Sequence, residues 1–213
     1  MRDSETGSWW QQVSGEAIYG PLRGQRLTPV DHDEVTFGLW KQEQLNGRVL
    51  KPDPAIPAAK YAPADWEQKM SKVPVATTSL DKTIAARTLI VGVTAGNAAK
   101  AYPVDAIAKQ SPIVDDVGGV SIVLMIAKDQ KSIRAFERVV DGRTLEILLK
   151  PGTQDLIFVD TETGSEWDFS GKAISGPLAG RQLKKVSILN DYWFDWKNYH
   201  PTTTLYDLGS RSI

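Results

Sequence analysis

Three acidic stretches hold the side chains that could do proton or metal chemistry. Asp31, His32, Asp33 and Glu34 run consecutively. Carboxylates and an imidazole are metal ligands. Adjacent side chains point apart in either helix or strand, so this run reads as a solvated loop leading into a helix. Asp115-Asp116 is a carboxylate pair of the kind used in general acid–base catalysis. Val117, Gly118 and Gly119 follow it, and the pair reads as part of a loop over 115–119. Glu162 belongs to a Glu-Thr-Gly-Ser turn. An enzyme reading therefore rests on Asp115, Asp116 or Glu162. His200 precedes Pro201 at an expected helix end, where a cation suits the helix dipole. His32 and His200 are the only histidines, and there is no cysteine. Disulfides, thiol catalysis, iron–sulfur clusters and thiolate zinc sites are excluded. Phosphate-binding Gly-Lys-Ser/Thr loops, His-Glu-x-x-His, Gly-x-Ser-x-Gly, Gly-x-Gly-x-x-Gly and EF-hand loops are all missing from the sequence. No catalytic residue, no metal site and no cofactor are expected.

Composition narrows the class further. The chain has 213 residues, 24% charged and 41% hydrophobic, with a net charge of −1. That balance excludes collagen-like, coiled-coil and wholly disordered chains. A near-zero charge argues against nucleic acid as a partner, since such binding needs a basic surface. The longest low-polarity run, residues 118–127 (GGVSIVLMIA), is about half of the ~20 residues that span a bilayer. It reads as a buried strand, and no transmembrane segment is expected. No signal peptide is visible behind Met1.

The elements that must position these residues are organised by an internal repeat. Residues 3–27 (DSETGSWWQQVSGEAIYGPLRGQRL) align with residues 160–183 (DTETGSEWDFSGKAISGPLAGRQL) with one gap. Thr6 matches Thr163, Gly7 Gly164, Ser8 Ser165 and Trp10 Trp167. Gly20 matches Gly176, Pro21 Pro177 and Leu22 Leu178. Further on, Trp40 matches Trp196. Each copy reads as a Thr-Gly-Ser turn, a short Trp strand, a Ser-Gly break, a strand into a Pro-initiated turn, and then a short helix. In the second copy the helix is expected over 191–199, stopped by Pro201. Residues 52–63 hold four prolines and read as an extended connector. A short helix is expected over 64–72. Beyond it, 88–94 and 98–102 read as a hairpin, 104–109 as a helix and 120–126 as a buried strand. Val140-Asp141-Gly142 reads as a tight turn between 132–138 and 143–149. The fold expected is mainly β (α+β), antiparallel, with short helices. The expected division is a partial repeat unit over 1–52, a Pro-rich linker and helix over 53–72, and a β-rich domain over 73–213.

Ala101-Tyr102-Pro103, the run 115–119 (DDVGG), the run 136–143 (FERVVDGR) and the two Thr-Gly-Ser/Gly-Pro-Leu copies together resemble domain-of-unknown-function family 3179. The resemblance covers about 85–200 as one near-complete domain, with 1–52 similar to the C-terminal part of a second. The family implies a Cys-Pro-x-Cys pair, at whose positions this chain has Ala127 and Gln130. It also implies a Trp-His-Glu cluster, where this chain has Lys109, Gln110 and Ser111. Alanine has no donor atom, and glutamine and serine are weak ligands, so any site those residues build in relatives is not expected here. Met1-Arg2-Asp3 falls on a Met-x-Asp sequence inside the family's domain. Met1 is therefore expected to be either an internal methionine of a longer chain or the relic of a two-domain ancestor. Relatives imply an extracytoplasmic, periplasmic location.

Seven tryptophans are many for this length. Trp10, Trp167, Trp40 and Trp196 recur in register and are expected in equivalent core positions. Trp9 and Trp66 are unmatched, and Tyr192-Trp193-Phe194 is dense. Tryptophan and tyrosine are enriched at binding hot spots. Trp9, Trp66, Tyr192 and Trp193 are accordingly the expected partner-binding residues. The leading expectation is a non-catalytic accessory subunit that stabilises a larger protein complex, reaching a membrane surface through its partner. The alternatives are a small-ligand or carbohydrate-binding module, and an enzyme of unknown reaction.

Overall fold

The strand Val120–Ile126 shows how the chain is layered. In the computed structural model it is buried on both faces: Ile122, Leu124 and Ile126 point into one core, Val123 and Met125 into another. A strand covered on both sides needs a continuous apolar run rather than alternation, and residues 120–126 supply one. The structure describes residues 1–28, 30, 32–57, 60–63, 65–75 and 81–207.

Three four-stranded sheets are stacked, with a helix outside the one that holds Leu89–Ala95. Strand Val120–Ile126 sits in the middle sheet, ordered Lys185–Val186, Ile133–Glu137, Val120–Ile126, Ile113–Val117, all antiparallel. One neighbouring sheet is ordered Ile188–Tyr192, Leu89–Ala95, Ala98–Pro103, Thr204–Leu205, with only the last pair parallel. Val91, Val93 and Tyr102 of this sheet meet Ile122 and Leu124. The third sheet, Ile147–Leu149, Phe158–Asp160, Glu166–Trp167, Ala173–Ser175, packs Ile147, Phe158 and Trp167 against Val123, Met125 and Phe136. Strands make up 33% of the chain and helices 13%, so the fold is mainly β.

Among the described residues four short helices complete it: α1 Phe37–Glu43, α2 Trp66–Met70, α3 Val104–Gln110 and α4 Trp193–Tyr199. Helix α4 lays Trp193 and Trp196 on Ile90 and Ala101. Gly92 makes that approach available: a β-carbon there would collide with the ring of Trp196. The expected helix over 191–199 starts two residues later, because Asp191 and Tyr192 pair with Ile90 and Leu89 as strand. The expected helix over 64–72 is confined to α2, and Ala64 lies outside the described residues. The Val139–Val140/Arg143–Thr144 hairpin closes through Asp141 (φ 49°) and Gly142 (φ 77°), as an Asp-Gly turn does.

The 115–119 loop is corrected by the structure. Asp115, Asp116 and Val117 belong to strand Ile113–Val117, and only Gly118 and Gly119 turn. Five backbone pairings with Val120–Ile126 outweigh the local turn preference of the acids.

The two Thr-Gly-Ser segments make the same hydrogen bonds. Asp160 accepts from Thr163 N (2.6 Å) and Trp167 Nε1 (2.9 Å); Asp3 accepts from Thr6 N (2.6 Å) and Trp10 Nε1 (2.8 Å). Gly20 and Gly176 both have positive φ and both pass over a serine backbone. A β-carbon would lie 2.7 Å from Ser8 Cα in one and 2.6 Å from Ser165 Cα in the other. Their burial differs. Trp167 and Asp160 are fully buried, whereas Trp10 is half-buried. Trp196 is buried and Trp40 only half-buried. The second copy has sheets packed over it, and the first does not.

Candidate functional site

The N-terminal third carries apolar side chains outward. Of twenty large hydrophobic residues exposed among the described residues, fourteen precede residue 75, from Met1 to Val73. Among its described residues the same stretch gives the apolar core one, Ala17. Helix α1 has no buried residue, and Phe37 stacks on Trp40 at 5.7 Å in the open.

Polar contacts hold this segment to the sheets. Arg134, 5% exposed on the middle sheet, donates Nη1 and Nη2 to the two carboxylate oxygens of Glu43, each at 2.7 Å. Its Nε donates to Asp33 Oδ2 at 3.0 Å, and its guanidinium lies 4.9 Å from the Phe169 ring centroid. Burial works against the Arg134 charge, but Glu43 and Asp33 outweigh it and hold its pKa above the ordinary value. Burial also opposes ionisation of Asp33; the hydrogen bond from Lys185 (2.7 Å) and the field of Arg134 override it and hold that carboxyl low. Thr36, the N-cap of α1, donates Oγ1 to Asp129 Oδ2 (2.6 Å), and its N–H donates to Ser132 Oγ (2.9 Å). Asn190 Nδ2 donates to Glu34 Oε2 at 2.6 Å. A forked, two-oxygen arginine pair fixes geometry as well as charge. Beside it opens a cavity of about 800 Å³ bordered by Asp168, Phe169, Ser170 and Gln182.

This clamp revises the reading of residues 31–34. Asp31 lies outside the described residues. His32 faces Glu34 at 3.7 Å on the surface. Asp33 is bound to the body rather than solvated, and Glu34, though exposed, accepts from Asn190. Sequence reasoning did not single out Arg134 and Glu43, because they meet across 91 residues.

The expected partner-binding residues separate. Trp9 is 49% exposed and Trp66, at the start of α2, is 46% exposed. Tyr192 is half-buried, stacked on Phe194 at 6.2 Å with Arg87 over its ring. Trp193 is corrected: it is 2% exposed and donates Nε1 to Asp81 Oδ1 at 3.1 Å, so its ring packs the fold rather than meeting a partner. No ring contact among the described residues joins Trp9, Trp66 and Tyr192.

The candidate catalytic acids have structural partners. Asp115 Oδ2 accepts from Tyr102 Oη (2.8 Å) and pairs with Lys100 Nζ (2.7 Å). Burial, with Asp115 beside it, pushes the Tyr102 phenol far above its ordinary value. Asp116 Oδ1 accepts from Gly119 N and ties the turn (2.9 Å). Glu162 Oε2 accepts from Glu146 N (2.8 Å). His200 caps α4 against the Trp196 ring at 3.9 Å, and burial pushes its pKa down. That shift works against the cation expected at that helix end. Among the described residues no three His, Asp or Glu gather as a metal-binding group.

The two sets of substituted positions meet in space. Ser111, after α3, accepts from Ile126 N through Oγ at 3.0 Å, next to Ala127, which is 5% exposed. Gln130, at φ 56°, turns its N–H back to Ala127 O at 3.0 Å. Gln110 Oε1 accepts from Tyr206 Oη at 2.5 Å.

No helix among the described residues is long and apolar enough to cross a membrane. No curated protein and no solved structure matches the chain. One family model does match, described as a protein of unknown function (DUF3179), over residues 1–203. That span takes in the clamped N-terminal segment and every strand of the three sheets but Thr204–Leu205, and the chain belongs to the DUF3179 family.

Proposed function

We propose that the chain is a non-catalytic accessory subunit that stabilises a larger complex by seating its N-terminal face on a partner protein. One observation carries this: among the described residues of 1–75, fourteen large hydrophobic side chains lie outside and one apolar residue lies in the core. Residues that contribute so little to their own fold, yet are held in place by Arg134 and Asp129, are suited to covering an apolar surface on another chain. The partner is thus a protein presenting apolar area, with Trp66 and Trp9 as anchors and Tyr192 at the rim. Two features support a non-catalytic role. Asp115, Asp116 and Glu162 are each engaged in structural hydrogen bonds. The locus of Ala127, Gln130 and Ser111 offers neither thiolate nor imidazole. An extracytoplasmic location, with a membrane surface reached through the partner, belongs to the same proposal and rests on the family resemblance alone.

Trp66→Ala tests the anchor. Loss of a hot-spot tryptophan costs about 2 kcal/mol or more, roughly a thirtyfold loss of association. The melting temperature should not move, because Trp66 contributes nothing to the buried core. Undiminished association in both Trp66→Ala and Trp9→Ala would remove the N-terminal face from the interface.

A further inference from the structure

A second feature lies between the N-terminal hairpin and α4. There a groove of about 420 Å³ is bordered by Trp9, Trp10, Ile18, Asn190, Asp191, Asp195 and Tyr199 among others. Its aromatic wall is open, with Trp9 49% and Tyr199 41% exposed. Its floor is acidic. Asp191 and Asp195 make no ion pair among the described residues, and Glu34 lies close enough to repel Asp191. The amine of Met1 is on the same rim, where it donates to Trp10 O at 2.7 Å. Two acceptors at this spot have no donor. Asp191 Oδ2 and Asn190 Oδ1 are shut off from solvent and accept no hydrogen bond, although Asp191 Oδ1 takes the Tyr192 N–H at 2.7 Å and Asn190 Nδ2 reaches Glu34. Buried acceptors are almost always satisfied, so the orphan Asp191 Oδ2 bordering the groove points to a missing N–H donor. Rotation about χ2, a soft torsion for Asp, turns that oxygen toward it.

We propose that this groove receives a basic side chain, lysine or arginine, of the partner protein. The proposal rests on the accessory-subunit reading and adds the chemistry of the contact. A guanidinium or ammonium supplies the donor that Asp191 lacks. Its charge offsets Asp191 and Asp195, and its aliphatic stem and cationic head lie against Trp9 and Tyr199. A neutral polar ligand would satisfy the acceptors and leave the two carboxylates uncompensated. The site also explains why burial, followed by repulsion from Asp195 and Glu34, pushes Asp191 up to about 6. In the free protein it is an anion site waiting for its counterion.

The test uses capped small probes on the whole chain. N-acetyl-arginine methylamide and N-acetyl-lysine methylamide are titrated against N-acetyl-norleucine methylamide, following the indole N–H resonances of Trp9 and Trp10. The cationic probes should give saturable shifts that weaken at least tenfold at about 0.5 M salt, where the Debye length is only a few ångströms. Asp191→Asn with Asp195→Asn should weaken them at least tenfold, while thermal unfolding reports that the variant is folded. Salt dependence of the wild type stands independently if the variant does not fold. Equal binding of the norleucine probe, unchanged binding in a folded variant, or saturable, salt-insensitive shifts with an oligosaccharide instead would overturn the proposal. A chain that assembles with other subunits yet ignores the cationic probes would refute this groove alone. A chain that never assembles would refute the accessory reading whatever the probes do.

Discussion

Asp160 and Asp3 make nearly the same hydrogen bonds in different surroundings, and that permits a controlled prediction. Asp160 is fully buried. Removing its carboxylate in Asp160→Ala strands the Trp167 indole N–H (2.9 Å), the Thr163 N–H (2.6 Å) and the Thr163 hydroxyl (2.8 Å). A buried donor without an acceptor costs about 1–3 kcal/mol. Allowing the hydroxyl to turn to Ser165, 2.7 Å away, and one donor to find water, the net loss is about 3–5 kcal/mol. For a chain of this size that is a fall of roughly 10 °C in melting temperature. Asp3→Ala deletes the same bonds where water reaches the donors. The Trp10 indole and the Thr6 N–H lead in holding the Asp3 carboxyl down to about 2, but the site is open. Its loss should free the amides of residues 3–10 to exchange without moving the global midpoint. Circular dichroism melts and guanidinium titrations of both variants decide the matter. Equal destabilisation by the two, or a loss below about 1 kcal/mol for Asp160→Ala, would refute the claim that burial sets the worth of this constellation.

Two further perturbations separate the clamp from the groove. Glu43→Gln keeps the shape of the forked pair with Arg134 and removes its charge. The opening free energy of helix α1 should fall by about 1–3 kcal/mol, read as faster amide exchange over residues 37–43. The wild-type helix should exchange faster in ~1 M salt, and exchange insensitive to both changes would contradict the clamp. Asp191→Asn probes pH dependence. Burial, then Asp195 and Glu34, raises the folded pKa from 3.8 to about 6. The folded protein therefore binds the extra proton between those values, and stability falls as pH rises from about 4 to 6 and stays lower above. The full shift corresponds to about 3 kcal/mol; screening of a part-buried group reduces it to the order of 1 kcal/mol. Asp191→Asn should be more stable than wild type by that amount at pH 7.5 and no more stable at pH 4. A pH-independent difference would contradict the reading.

Much of the fold is legible in the residues. The β-branched runs around Val91 and Val123 became central strands because they can be buried on both faces. Asp141-Gly142 became a hairpin turn because both positions require positive φ. Asp115 and Asp116 were not legible as strand, since their own preference is for turns and the pairing partner lies further along the chain. Trp193 and Trp196 are three residues apart, which puts both rings on one face of α4. That spacing signals a buried stripe, and the density of aromatic residues obscured it. The Arg134–Glu43–Asp33 clamp left no trace in local pattern, because its members come from segments about a hundred residues apart. The equivalence of the two Trp segments is plain in sequence, whereas their difference in burial depends on which copy the sheets cover.

Native mass spectrometry of the untagged protein purified from its source tests the accessory role most directly. The account predicts a species heavier than 23.5 kDa that holds other subunits and loses them when Trp66 is replaced by alanine. A free 23.5 kDa monomer under gentle ionisation at low salt, with no associated chain, would contradict it.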